Sequence, residues 1–264
     1  MSVLVGLKAI VLGLVEGATE FLPVSSTGHL IIAAAWLDYP AAQRATFEIF
    51  IQLGAIGAVY WHYRRDLFEL VRRAPADAHA RALLGKILLA FVPAAAVGFL
   101  FHEWIEAHLF SVRSVAWGLI AGGALIWIVE RRSRPIRASR MEDISWRDAL
   151  SVGCAQVAAL YPGISRAGAT IIGGLIVGLS RPAATQFSFY LALPTLTAAS
   201  LFSLIKGLPR LDAAEAFHLG LGFIAAFASA LAVIRVFIAY VQTHDFRAFA
   251  YYRIAFGLLL LAVT

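Results

Sequence analysis

Six runs of mostly apolar residues, at about 46 to 63, 83 to 101, 113 to 130, 184 to 205, 216 to 240 and 250 to 264, each reach or approach the roughly 20 residues needed to cross a bilayer. Such a chain has lipid as its solvent, and in hydrocarbon every backbone N–H and C=O must find a partner inside the protein. The expected structure is therefore an all-α integral membrane protein with six transmembrane helices. Hydrophobic residues make up 61% of the chain and charged residues 14%, with mean hydropathy +0.79, which excludes an ordinary soluble domain. The single cysteine, Cys154, has no intrachain partner, so the fold must hold without a disulfide. Residues 2 to 15 are also apolar. No basic segment precedes them and no small-residue cleavage site follows, so the segment is expected to be retained.

The net charge of +6 is not spread over a surface in the manner of a nucleic-acid-binding protein. Arg64, Arg65, Arg72, Arg73, Arg81 and Lys86 gather around one connection, and Arg131, Arg132, Arg134, Arg137, Arg140 and Arg147 around another. The bias of cationic loops toward the cytoplasm puts both connections on that side.

Two further apolar regions are interrupted by polar and turn-forming residues: 2 to 39, broken by EGATEFLPVSSTGH, and 149 to 180, broken by QVAALYPGISRAGAT. Both are expected to be re-entrant helix-loop-helix pairs, because broken backbone at membrane depth is tolerated only where it lines a protein-enclosed or wet cavity. The chain then divides as a single membrane domain over 1–264. A first repeat over 1–130 and a second over 148–264 flank a basic cytoplasmic connection over 131–147, and each repeat holds a re-entrant pair followed by three spans. Three crossings per repeat invert the second relative to the first, so the two broken pairs enter from opposite sides and meet near the midplane. Counting crossings from the basic loops places both chain ends outside. At an offset of 140, Gly13 matches Gly153, Ser25 matches Ser165, Gly28 matches Gly168, Phe47 matches Phe187 and Leu53 matches Leu193, with Glu16 opposite Gln156.

The interruptions carry the chemistry. Glu16 and Glu20 are four apart on a helical stretch and share a face. A central charge in a span costs about 3 kcal/mol on insertion scales, so the pair implies a metal ion or a shared proton. The plainer alternative is a pair at the water interface beside Pro23. Next come Ser25, Ser26, Thr27, Gly28 and His29, a hydroxyl-rich turn opening a helix whose N-terminus offers N–H groups to an anion. His29 falls on its first turn as a candidate base or nucleophile, though Ser-Ser-Thr is more often a cap and a lone His more often structural. In the second region, Gly163, Ser165 and Arg166 enter a helix in the same way. The Arg166 guanidinium suits phosphate oxygens, Ser165 and Thr170 add hydroxyls, and glycine lets a ligand approach the backbone. Arg166 could instead serve only to pair with an acid of the first region. A pyrophosphate with a divalent cation would satisfy all of these groups together.

Other polar residues carry less. Lys8 and Arg235 are placed to snorkel, and Gln52, Gln186 and Ser188 to bond across helices. Arg44 and Glu48 are expected near the outer mouth, and Glu103, Glu106 and Arg113 in an exposed loop.

Taken together, Glu16 to His29 and Pro162 to Thr170 resemble the two signatures of the undecaprenyl pyrophosphate phosphatase family, also known for bacitracin resistance. The resemblance covers essentially the whole chain. It implies hydrolysis of undecaprenyl pyrophosphate to undecaprenyl phosphate and inorganic phosphate with Mg2+ or Ca2+. This reaction recycles the lipid carrier of cell-wall synthesis in the bacterial inner membrane, at a site open to the periplasm. It also implies Glu16 and Glu20 as the acidic, metal-binding pair, Ser26 and His29 as nucleophile or base, and Arg166 with Ser165 and Thr170 as a phosphate clamp, aided by Ser25, Thr27 and Gly163. Ala167 stands where the family has a second serine, which removes one donor, and activity is expected to survive. The partners implied are the polyprenyl pyrophosphate lipid and the bilayer, with no nucleic acid and with a homodimer left open. A secondary transporter or lipid flippase is the alternative, since inverted repeats and broken helices occur there too. A second class of membrane lipid phosphatases, marked by Lys-x6-Arg-Pro and Ser-Arg-x5-His-x3-Asp, is set aside: Gly174 and Ile172 stand where its lysine and histidine would be.

Overall fold

A computed structural model of the chain describes residues 2–132, 135–206 and 213–263, and these are helical nearly throughout. Helix α1 covers Ser2–Thr19, α2 Ser26–Trp36, α3 Ala41–His62, α4 Arg64–Arg73, α5 Ala78–Leu109 and α6 Val112–Arg131. A connection with a 3-10 turn at Met141–Asp143 leads to α7 (Trp146–Val157), which runs into a second 3-10 turn at Ala158–Leu160. Then follow α8 (Arg166–Ile176), α9 (Arg181–Lys206), α10 (Ala213–Val241) and α11 (Arg247–Val263).

Four stretches, Ala78–Ile105, Val112–Arg131, Arg181–Ile205 and Glu215–Val241, are long and apolar enough to cross a membrane. The chain is thus a multi-pass membrane protein. The other two expected spans coincide with α3, which carries Arg44 and Glu48 in its first half, and with α11, of 17 residues. Two expectations are corrected. The first basic connection is largely helix α4, whose arginines are exposed while Leu67 and Leu70 pack on the core. Glu103 belongs to α5 and Arg113 to α6, not to a loop. The reason is length: 32 residues of α5 rise about 48 Å, well beyond hydrocarbon of roughly 30 Å, so the helix itself supplies the exposed segment. Arg134, Thr264 and the side chain of Glu106 lie outside the described residues.

Elements recur along the chain at the offset of 140. Helices α2 and α8 are both 11 residues long and start at Ser26 and Arg166. Helices α3 and α9 start at Ala41 and Arg181, after residues with positive φ, Asp38 at 48° and Gly178 at 93°. Packing runs across the two series: α1 lies against α10, and α7 lies against α5. Matched glycines permit both approaches, Gly13 meeting the Gly222 backbone and Gly153 the Ala90 backbone, where a Cβ has no room. Helices α6 and α11 pack together, as do α3 and α10. Each broken pair is therefore gripped by a long helix of the other series, which fixes where the two turns sit.

Candidate active site

Both turns place a serine in a backbone conformation that side-chain-bearing residues rarely adopt. Ser25 has φ 70° and ψ 98°, and Ser165 has φ 71° and ψ 121°. Each immediately precedes the first residue of a short helix, where backbone N–H groups have no partner within the helix. Ser165 Oγ accepts from Gly168 N at 3.1 Å, whereas Ser25 makes no capping bond. Gly163, at φ 92°, brings the second turn so close to α6 that a Cβ would strike the Val115 carbonyl. Ser165 Oγ also donates to the Leu22 carbonyl at 3.5 Å, a bond between the two turns.

Glu20 and Arg166 join the turns through charge. Arg166 Nη2 donates to Glu20 Oε1 at 3.0 Å, and Ser26 Oγ donates to Glu20 Oε2 at 2.6 Å. The side chains of Arg166 and Glu20 are 9% and 7% exposed. Nη1 of Arg166 donates to the carbonyl and hydroxyl of Ser188 at 3.2 and 3.5 Å, and its guanidinium lies 5.5 Å from the Phe21 ring centre. Its Nε is buried without a partner. The ion pair therefore does not use up the arginine. One turn before Glu20, Glu16 is buried and within electrostatic reach of Glu20, Glu48 and Arg166. Its carboxylate makes no hydrogen bond among the described residues.

Glu20, Ser26 and Arg166 open onto a cavity of about 570 Å³, which Glu16 does not line. Glu20, Ser25, Ser26 and Thr27 line it from one turn, and Gly163, Ser165 and Arg166 from the other. Farther along, Phe91 and Phe99 of α5 and Leu196 and Phe202 of α9 make its wall apolar. A charged floor and an apolar passage in one space suit a molecule with an anionic head and a hydrocarbon tail.

Several residues singled out in the sequence sit elsewhere. His29 packs against Phe256 and Tyr252, with ring centres 4.6 and 5.6 Å away, and those two rings also meet each other at 5.7 Å. Its Nδ1 bonds the Ser25 carbonyl at 2.7 Å, so it carries the proton there, and its Nε2 bonds the Tyr252 hydroxyl at 2.5 Å. It is not brought to Ser26 and does not line the cavity. Thr170 lies behind Arg166, donating to its carbonyl at 2.9 Å and sharing a 2.7 Å bond with the Ser188 hydroxyl. Ala167 is wholly buried in the core, so the missing serine takes nothing from the cavity wall. Lys8 reaches the Asp38 carbonyl at the surface and Arg44 pairs with Glu48 at 2.7 Å.

Arg253 was missed. It is fully buried on α11 and donates to five carbonyls: Leu119 at 3.3 Å, Gly118 at 3.2 Å, Pro23 at 3.1 Å, Gly163 at 3.0 Å and Ile164 at 2.8 Å. It thus ties both turns to α6, and among the described residues no carboxylate neutralises it. A charge inside the last apolar run was the available signal.

The chain has close matches among known proteins. A family model described as Bacitracin resistance protein BacA matches residues 9–259. The chain is 52% identical to "Undecaprenyl-diphosphatase 2" of Rhodospirillum rubrum, over 100% of the chain and 97% of that protein. It is 50% identical to "Undecaprenyl-diphosphatase" of Methylococcus capsulatus, over 98% of the chain and 94% of that protein, and 46% identical to that of Pseudomonas aeruginosa, over 97% and 92%. With matched length, both motifs and the joined turns in place, the chain belongs to the bacitracin resistance protein BacA family.

Proposed function

We propose that the protein is an undecaprenyl-diphosphatase, hydrolysing undecaprenyl pyrophosphate to undecaprenyl phosphate and inorganic phosphate. The observation that carries the reading is the Ser26–Glu20–Arg166 chain of contacts at the floor of a cavity with apolar walls. The relatives' names favour hydrolysis over a transporter of similar build. Ser26 Oγ, already held by a carboxylate, attacks the terminal phosphorus as its proton passes to Glu20 Oε2. The bond from that phosphorus to the bridging oxygen breaks, and the lipid monophosphate leaves. Water then attacks the phosphoserine, Ser26 recovers its proton from Glu20, and inorganic phosphate departs. Arg166 and the N–H groups at the starts of α2 and α8 stabilise the phosphate charge.

The donors near the site are carboxylates and hydroxyls, which suit a hard cation such as Mg2+ or Ca2+. No group of three or more His, Cys, Asp and Glu converges among the described residues. Glu16 and Glu20, one helical turn apart, would hold such a cation. Such an ion, when bound, offsets charge on the phosphates.

In the membrane we place six crossings, α3, α5, α6, α9, α10 and α11. The α1–α2 and α7–α8 pairs are re-entrant and enter from opposite faces as an inverted repeat. The recurrence of elements at 140 residues and the crossed packing support this. Both termini and the cavity mouth then face the periplasm of a bacterial inner membrane, with the basic connections inside.

The test is phosphate release from farnesyl or undecaprenyl pyrophosphate by detergent-purified protein, with and without chelator, beside Glu20→Ala and Arg166→Ala. Metal-dependent release by the wild type, lost in both folded variants, is the expected result. A wild type that releases none across metals and lipid lengths overturns the reading.

A further inference from the structure

Several helix glycines of this chain serve close packing. At Gly54 a Cβ would strike the Phe223 carbonyl of α10, and at Gly118 the Pro162 carbonyl of the second turn. Gly98 of α5 is different: a Cβ there meets only Leu160 Cδ2, at 3.5 Å, an ordinary contact. Glycine is among the poorest residues for a helix interior, so its place inside a 32-residue helix calls for a use other than packing. What Gly98 leaves open is the cavity, which it lines.

That cavity joins two kinds of surface. At one end is Arg166, whose side chain is 9% exposed and whose Nε has no partner, a buried donor left for an anion. From there the lining on α5 follows one face, through Phe91, Ala95, Gly98 and His102, which spans about 16 Å of rise. Phe202 of α9 lies edge-to-face against Phe99, with ring centres 5.9 Å apart, and against His102 at 5.3 Å. Phe99 is 69% exposed, so the cavity borders the outer surface of the bundle at this level. Bulky side chains, Phe99, Leu160 and Phe202, surround the passage here except where Gly98 faces it.

We infer that Gly98 sets the width of the passage through which the prenyl tail runs from the charged cluster to the lipid, and is thereby a specificity-determining residue. The inference rests on the phosphatase reading and deepens it: Glu20, Ser26 and Arg166 hold the head, and the absent side chain at Gly98 makes room for the tail. The occupant is a hydrocarbon chain because the passage is apolar and continuous with a site for an anion. Only the prenyl units next to the pyrophosphate pass Gly98, so it acts alike on short and long tails. A larger side chain there shuts out the tail and leaves the phosphate site whole.

The test uses full-length protein in detergent, farnesyl and undecaprenyl pyrophosphate as substrates, and inorganic pyrophosphate, a head without a tail, as inhibitor. Gly98→Leu raises KM for both lipids by about tenfold or more, the scale of filling a space that a ligand's methylenes need. Inhibition by inorganic pyrophosphate does not move. Gly98→Ala raises KM less and, because alanine favours a helix, does not lower Tm. Ala199→Leu, which fills the same cavity from α9, repeats the Gly98→Leu result and stands in for it should that variant fail to fold. An unchanged KM in Gly98→Leu, or in Ala199→Leu where it stands in, overturns the inference. So does a Tm lowered by Gly98→Ala, or inhibition by inorganic pyrophosphate weakened in parallel with KM, since either marks a packing role. A wild type that releases no phosphate removes the phosphatase reading itself, whereas an active wild type matched by its Leu variants removes only the role of Gly98.

Discussion

Ser25 and Ser165, 140 positions apart, share a left-handed backbone at φ 70° and 71°, each directly before an 11-residue helix. Such a conformation costs a side-chain-bearing residue about 1–3 kcal/mol and persists where the surroundings enforce it. Here the enforcing contacts differ. Arg253 holds Pro23 on one turn and Gly163 and Ile164 on the other, while His29 holds the Ser25 carbonyl. Glycine takes this backbone freely and a β-branched residue does not. Ser25→Gly should therefore leave Tm unchanged or slightly raised, and Ser25→Val should lower it by several degrees, as read by thermal unfolding in detergent.

The Glu20–Arg166 pair is buried, so losing one member strands the other. Breaking such a pair costs about 3–5 kcal/mol. Glu20→Ala and Arg166→Ala should each reduce phosphate release by more than about 100-fold. Arg166→Lys should fail to restore it, because one ammonium cannot serve both Glu20 and Ser188 as the fork does. The double variant should be barely worse than either single, since the residues act as one unit. Steady-state rates for the four proteins check this.

Arg253 does not itself line the cavity, yet it anchors both turns, the cavity-lining Gly163 among them. Arg253→Met leaves five carbonyls without their donor, and Tm should fall by roughly 5–10 °C with activity falling alongside. Unfolding curves and rates measured on the same preparation check the coupling.

His29 braces the first turn through Ser25 and is itself held by Tyr252. Tyr252→Phe removes one bond and keeps the stacked ring, so kcat should change by no more than about threefold, in keeping with the loss of roughly one neutral hydrogen bond away from the chemistry. A drop of orders of magnitude would make the His29–Tyr252 contact part of proton transfer. His29→Ala should cost far more, by freeing the turn that carries Ser26.

The membrane class, the two broken pairs and the order of helices were legible because apolar runs and polar interruptions are written directly in the residue pattern. So were Glu20, Ser26 and Arg166, since ionisable and hydroxyl groups inside apolar sequence have few other uses. What the pattern hides is direction. His29 and Ser26 are three apart on α2, which fixes their spacing but not which helix each faces; α11 claims the ring. Arg253 sat in a run already counted as a span, and its partners are backbone carbonyls, which leave no trace in a sequence. Helix α4 was obscured in the same way, because four exposed arginines dominate its composition while Leu67 and Leu70 set its inner face.

The central claim is that Ser26, held by Glu20, is the group that takes the terminal phosphate. The most direct measurement is single-turnover phosphate release from farnesyl pyrophosphate by wild type and Ser26→Ala at matched Tm, with acid-quenched protein assayed for phosphoserine. Transient phosphorylation of the wild type at Ser26, and release slowed by more than about 100-fold in Ser26→Ala, is the predicted result. Release by Ser26→Ala at the wild-type rate, with no phosphoserine in either protein, would contradict it.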